Sequence, residues 1–486
     1  MFVGIDLGTS GVKLLLLDQE GRILGTQTEE YPLSFPKPGW SEQDPNAWLA
    51  QTKAGLTKLL SEHGNPEVDA LGIGGQMHGL VILDEHDEVI RPAILWNDGR
   101  TVKETEYLNE TIGKEKLSSY TGNIAFAGFT APKILWIKNN EPENFKRIKK
   151  IMLPKDYLVY KLTGAFVTDY SDASGMLLLD VKSKRWSEEM LDICGVRSEQ
   201  LPTPHESYEA VGDLKSEIKE ELNIKGEAIV AAGAGDNSAA AVGTGAVGPS
   251  KCNLSLGTSG TIFITSEKFL VDPNNSLHAF CHADGAFHLM GCMLSAASCN
   301  KWFMDEILRE KDYAKEQSEI TALGDNKVFF LPYLMGERSP HNDPLVRAMF
   351  YGMSLDTKRS QMYQSVLEGV AYGLRDSLEV ARGMGLEINS ATLCGGGAKS
   401  PLWRAILSNV LKLELKIPAN EEGPALGGAI LAAVAAGCFK DLSEAAGKIV
   451  RIKETVAPKG ELMTKYDEGY AFFRKLYPAV KGLSKT

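Results

Sequence analysis

The run Asp6-Leu7-Gly8-Thr9-Ser10-Gly11-Val12-Lys13 places a carboxylate, two small hydroxyl residues, two glycines and a cation within one short stretch. The amides and hydroxyls of such a turn can face polyphosphate oxygens. Lys13 can offset their charge and Asp6 can hold Mg²⁺ through water. An ordinary hairpin with an Asx-type turn would explain one copy equally well. The pentapeptide recurs, however, as Leu256-Gly257-Thr258-Ser259-Gly260. Two such turns, one from each half of the chain, can clamp a nucleotide from opposite sides.

Asp236 is the candidate general base. It follows Gly233-Ala234-Gly235 where a strand ends and a helix starts, so its carboxylate stands at a sheet edge with small neighbours. There it could take a proton from a sugar hydroxyl attacking a γ-phosphate, and an ordinary carboxylate pKa would suffice. The competing role is an N-cap, a common use of aspartate. Gly395-Gly396-Gly397-Ala398 follows a strand-like run and would let an adenosine lie against backbone, whereas Gly427-Gly428 reads better as a packing point. Gln76-Met77-His78-Gly79 offers an apolar wall and an imidazole to a polyol, and Trp96-Asn97-Asp98-Gly99-Arg100 adds an aromatic face.

These residues need a framework of two halves. Apolar runs enter and leave each pentapeptide, the pattern of a hairpin whose tight turn uses glycine at positive φ. Arg22–Thr28 reads as a third strand, and Asp44-Pro45 starts a helix with Trp48, Thr52, Leu56 and Leu59 on one face. Strand-like runs at Val68–Ile73, Leu80–Leu83, Ile94–Trp96 and Ala228–Ala232 alternate with helices, so the class is α/β. The expected domains are 1–245, with an insertion at about 117–221, and 246–486, ending in a helical, peripheral segment from Lys459.

At 486 residues one hydrophobic core is not enough. A net charge of −11 disfavours nucleic-acid binding and makes any nucleotide site a local arrangement. Seven scattered cysteines fit reduced thiols in a cytoplasm. The start lacks the pattern of a signal peptide, and Ala425–Gly437 is too short to span a bilayer. No GxxxxGK[ST] sequence is present, and Gly243–Gly248, although it fits GxGxxG, follows a helix-like run. Cys281, His282, His288 and Cys292 flank a hairpin turn rather than a familiar zinc spacing.

Taken in order, Gly4–Ser10, Gly235-Asp236-Asn237, Ser255–Gly260, Met362–Leu374 and Gly395–Ser400 resemble the FGGY carbohydrate kinases. The resemblance covers nearly the whole chain. Gln76–Gly79 with Leu95–Arg100, and Phe330–Tyr333 followed by Gly336–Pro340, are similar to the branch that phosphorylates D-xylulose. It implies two ribonuclease-H-like domains of the actin and hexokinase type, closing around ATP-Mg²⁺ and a ketose. Asp236 would then be the base toward the 5-hydroxyl, with Met77, His78 and Asn237 at the sugar and Trp96 beside it. Asp6 would support the metal, Thr9, Ser10, Lys13 and Thr258 the phosphates, and Gly396, Gly397 and Ala398 the adenosine. Lys13 stands where some relatives carry arginine, which keeps the charge and loses bidentate geometry. A kinase for ribulose, gluconate or glycerol, and a non-catalytic nucleotide-binding sensor, remain as alternatives. A homodimer is a family habit.

Overall fold

Both predicted hairpins form, and each is the centre of a sheet. In the first, Phe2–Leu7 pairs antiparallel with Gly11–Leu17, which pairs antiparallel with Ile23–Glu30. On the other side Ala70–Gly75 and then Ile229–Ala231 run parallel, and Ala210–Asp213 closes the edge antiparallel. In the second, Cys252–Leu256, Gly260–Ser266 and Phe287–Met293 form the antiparallel part. Ser390–Cys394 and Glu414–Pro418 form the parallel part and Ile452–Val456 the antiparallel edge. Order and direction match strand for strand, with His278–Cys281 added beyond Phe287–Met293. The repeated pentapeptide therefore marks a duplication of the whole sheet. The computed structural model describes residues 1–483; the last three positions of the expected C-terminal helix lie outside them.

The helix Pro45–Glu62 covers the first sheet as its sequence predicts. Asp44 caps it by accepting from the Asn46 amide, and Trp48, Thr52, Leu56 and Leu59 are fully buried. Residues between the strands of the first half build a third apolar cluster around Ile94, Leu108, Phe129, Ile134 and Met176. Phe280 and Met290 of the second half join it, so the two halves share that core.

Three expectations change. The glycines of the two hairpin turns are absent from the residues with positive φ. They are required by crowding: a Cβ on Gly11 would stand 2.7 Å from the Glu29 carbonyl oxygen, and one on Gly260 3.0 Å from the Ala296 methyl. The helix Gly423–Ala435 lies in sequence with the second half, yet its Ala-rich face packs on the first sheet beside Phe2, Leu15 and Ala70. A Cβ on Gly4 would fall 1.8 Å from the Ala425 oxygen, and one on Gly427 1.9 Å from the Ala239 oxygen. Gly427-Gly428 is thus a packing point. The C-terminal segment is helical over Gly460–Phe473 but not peripheral, because Tyr466, Tyr470 and Phe473 are buried in the core of the second half.

Candidate active site

The two turns are built alike. In the first, every carbonyl oxygen is drawn inward: Gly8 O accepts from the Tyr31 hydroxyl at 2.5 Å, Thr9 O from the Gln43 amide at 2.7 Å and Ser10 O from the Tyr31 N–H at 3.3 Å. In the second, Gly257 O accepts from the Ala297 N–H, and Thr258 O from the Ala296 N–H and the Ser298 hydroxyl. The Thr9, Ser10, Thr258 and Ser259 amides donate to no acceptor among the described residues. With carbonyls inward and amides outward, each turn presents the polarity an anion needs.

The carboxylates sit beside the first turn. Asp6 ends its strand opposite Gly74, and Ala234 flanks the same Gly74 from the far side, which brings Asp236 to that sheet edge. Burial, and then the charge of Asp236, push the Asp6 carboxyl up to about 7. Burial pushes Asp236 up to about 6, against the lowering effect of a backbone hydrogen bond from Asn237. Asp236 is therefore not an ordinary carboxylate. Nor is it an N-cap: Gly235 occupies that position, and Asp236 is the first residue of the helix Asp236–Gly243 with its carboxylate free of capping. Lys13 reaches across to Glu422 at 2.9 Å, tying the first hairpin to the start of the crossing helix.

The small residues before Asp236 seat the turn on its support. Gly233 has φ +82°, and a Cβ there would lie 2.2 Å from the Ile73 oxygen, while one on Gly235 would meet Met77 at 3.0 Å. Beneath the turn, the fully buried Lys155 pairs with Asp156 at 2.7 Å and Asp169 at 3.1 Å and donates to the Ala232 carbonyl at 3.1 Å. Asp169 accepts from the Ser171 hydroxyl, which accepts from the Gly235 N–H at 3.1 Å. Asp172 completes the cluster with neither oxygen hydrogen-bonded, and burial pushes it well above the usual carboxylate range. None of Lys155, Asp169, Ser171 or Asp172 stands out in sequence. They lie 64 to 81 positions before Asp236 and converge only in the fold.

Met77 and Asn237 come together beside Asp236, and His78 follows Met77 in the chain. The Asn237 amide donates to Asp236 Oδ1 at 2.9 Å and contacts the Met77 sulfur at 3.7 Å. His78 is left-handed, with φ 68°, and its carbonyl accepts from Lys133 Nζ at 2.8 Å and the Thr130 hydroxyl at 3.1 Å. Its ring stacks on Phe129 at 4.7 Å. Burial, then the charge of Lys133, pushes His78 down to about 3, so the imidazole is neutral. Nδ1 lies 2.8 Å from the Gly175 carbonyl, which only accepts; the proton is on Nδ1, and Nε2 is left as an acceptor for a ligand hydroxyl. Trp96 is 46 % exposed and donates from Nε1 to the Thr9 hydroxyl at 3.0 Å, joining it to the first turn.

The glycine turn of the second half divides. Gly396 is exposed, with nothing within 4 Å of where a Cβ would be. Gly397 and Ala398 are buried, a Cβ on Gly397 would stand 2.4 Å from the Leu256 side chain, and both polar backbone groups of Ala398 are used, by Gly395 and Arg404. Of the three, Gly396 is the one with an open face. Among the cysteine and histidine residues near the second hairpin, His282 bonds the Ala246 carbonyl and His288 stacks on Phe263 at 3.8 Å, both packing roles.

Residues 1–243 match the N-terminal domain of the FGGY family of carbohydrate kinases, and residues 252–436 match its C-terminal domain. The chain belongs to the FGGY carbohydrate kinases. It is an ATP-dependent sugar kinase with two ribonuclease-H-like domains. Among FGGY relatives, the xylulose kinase of Escherichia coli (strain K12) is 41 % identical over 487 residues, covering 98 % of each chain. A crystal structure of a xyloylose kinase from Brucella ovis superposes with a TM-score of 0.94 at 40 % identity, over 99 % of both chains. Gluconate kinase from Lactobacillus acidophilus also reaches 0.94, at 26 % identity over 99 % of this chain and 98 % of its own. The backbone alone therefore does not separate sugars within the FGGY fold. No helix among the described residues is long and apolar enough to cross a membrane.

Proposed function

We propose that this kinase transfers the γ-phosphoryl group of ATP to the 5-hydroxyl of D-xylulose, with Asp236 as general base. The observation that carries the base assignment is a carboxylate left uncapped at a helix start, raised to about 6, and held by the Asn237 side chain, which also contacts Met77. A group with that pKa is ionised at neutral pH yet basic enough to take the hydroxyl proton as the loose transition state forms. His78 Nε2 and Met77 hold the sugar, and Asn237 fixes the Asp236 carboxylate. The outward amides at 9–10 and 258–259, with Lys13, receive the triphosphate, and Gly396 faces the nucleoside. Full-length likeness to xylulose kinases supports the choice of sugar.

Asp6 fits Mg²⁺ held through water. Its carboxyl is raised by burial and by the charges of Asp236 and Glu422, an anionic surplus that a cation would relieve. Among the described residues no group of three or more His, Cys, Asp or Glu side chains is arranged to hold a metal ion, so phosphates and waters would supply most of its ligands. The ion would neutralise charge developing between the β- and γ-phosphates.

Coupled ADP release at fixed ATP and Mg²⁺, with D-xylulose, D-ribulose, gluconate, glycerol and no sugar, tests this reading. Turnover dominated by D-xylulose is expected. Preference for another acceptor would contradict the sugar assignment, and release independent of sugar would contradict the kinase reading.

A further inference from the structure

The sugar pocket has a polar imbalance. His78 Nε2 accepts, the Asp236 carboxylate accepts, and the Asn237 amide is spent on Asp236 and Met77. A ketose hydroxyl can donate to these groups. A ketose carbonyl cannot, because it only accepts, and so needs a donor other than these three side chains.

The second half supplies one. Arg338 follows Glu337, whose buried carboxylate accepts from the Leu294 N–H at 3.0 Å and the Arg338 N–H at 2.7 Å; Ser339 N–H bonds the Cys292 carbonyl at 2.9 Å. The backbone on both sides of Arg338 is thereby pinned. Its guanidinium crosses to the first half and lies over Phe126, 5.3 Å from the ring centre. Phe126 packs edge-on against Phe129 at 5.4 Å, the ring on which His78 stacks, and against His278 at 5.0 Å. His278 is buried, and its Nε2 has no hydrogen-bond partner. Arg338 is half-buried, and no carboxylate of the described residues is within ion-pairing distance of its guanidinium.

Behind the effect of burial, the charge of Arg338 also lowers both His78 and His278.

We propose that Arg338 is a specificity-determining residue whose guanidinium donates hydrogen bonds to the carbonyl oxygen of the ketose. Because it comes from the opposite half, it closes the pocket only when both domains face the sugar. It selects ketoses over the corresponding alditols, which carry a donor-capable hydroxyl in place of the carbonyl. This inference rests on the ketose kinase reading above.

The test compares wild type with Arg338→Met, Arg338→Gln and Arg338→Lys. KM and kcat are measured for D-xylulose and ATP, and xylitol and D-arabinitol are titrated as competitive inhibitors. In Arg338→Met the KM for D-xylulose should rise at least about tenfold, as expected for loss of a charge-assisted hydrogen bond. The alditol inhibition constants should change by less than about threefold and the ATP KM should stay put, so ketose preference collapses. Arg338→Lys should recover part of it. Equal weakening of ketose and alditol, or a loss confined to kcat, would overturn the proposal. If Arg338→Met does not fold, the Gln and Lys variants decide by the same ratio. Wild type inactive on D-xylulose but active on another ketose would fault the sugar assignment, and the ratio is then read with that ketose and its alditols; activity confined to acceptors without a carbonyl would overturn both.

Discussion

Asp6 and Asp236 flank one glycine: Gly74 pairs with Asp6 on one side of its strand and with Ala234, two residues before Asp236, on the other. A side chain at Gly74 would meet the Ala239 methyl at 2.9 Å, so the strand between the carboxylates stays bare. Behind the effect of burial, the charge of Asp236 raises the Asp6 carboxyl across that gap.

One consequence is a pH limb. Asp236 must be ionised to act as base, and its pKa is raised to about 6, so kcat/KM for the sugar should fall tenfold per unit as pH drops below about 6. Above pH 7 that limb should be flat. A limb centred near 4 would mean the carboxylate is not desolvated as the fold indicates.

Removing one charge should free the other. In Asp236→Asn, Asp6 loses the second largest cause of its raised pKa and should titrate lower than about 7. Carboxyl NMR titration of the metal-free protein reads this directly. An unchanged Asp6 would place the two groups out of each other's reach.

Lys133 tests how the sugar pocket is held. Its ammonium is buried, burial pushes it well below the ordinary lysine range, and it donates to the His78 and Gly128 carbonyls. Lys133→Met keeps the bulk and removes both bonds, letting the left-handed His78 relax. The sugar KM should rise about tenfold with the ATP KM unchanged, in line with one or two lost buried hydrogen bonds. Equal shifts in both constants would indicate general damage.

Glycine replacements separate packing from binding. Gly4→Ala drives a methyl into the Ala425 carbonyl of the crossing helix and should cost several kcal/mol, read as a large fall in Tm or loss of soluble protein. Gly396→Ala has open space, so Tm should hold while the ATP KM rises. A Gly396→Ala protein with normal ATP KM would remove that residue from the nucleoside face.

Much of the framework was legible because it is written in local signals. The paired pentapeptides, the Asp44-Pro45 helix start and the Trp48 to Leu59 stripe depend on near neighbours, and all are found. Where the sequence misled, distant chain decided. Gly11 and Gly260 looked like positive-φ turns and are glycine because distant segments crowd them. The terminal helix from Gly460 looked peripheral by charge, yet Tyr466 and Tyr470 face inward and bond Glu368 and Asp376. Lys155, Asp169 and Ser171, which carry the Asp236 turn, gave no signal in sequence. Neither did the pKa of Asp236, which comes from burial and not from its neighbours in the chain.

The most direct test of the account is Asp236→Asn, assayed for sugar-dependent ADP release and, separately, for ATP binding by calorimetry. Sugar-dependent turnover should fall about 10²- to 10⁴-fold, the usual worth of a general base, with ATP affinity within about threefold of wild type. Turnover near the wild-type rate with intact ATP binding would contradict the assignment of Asp236 as the base.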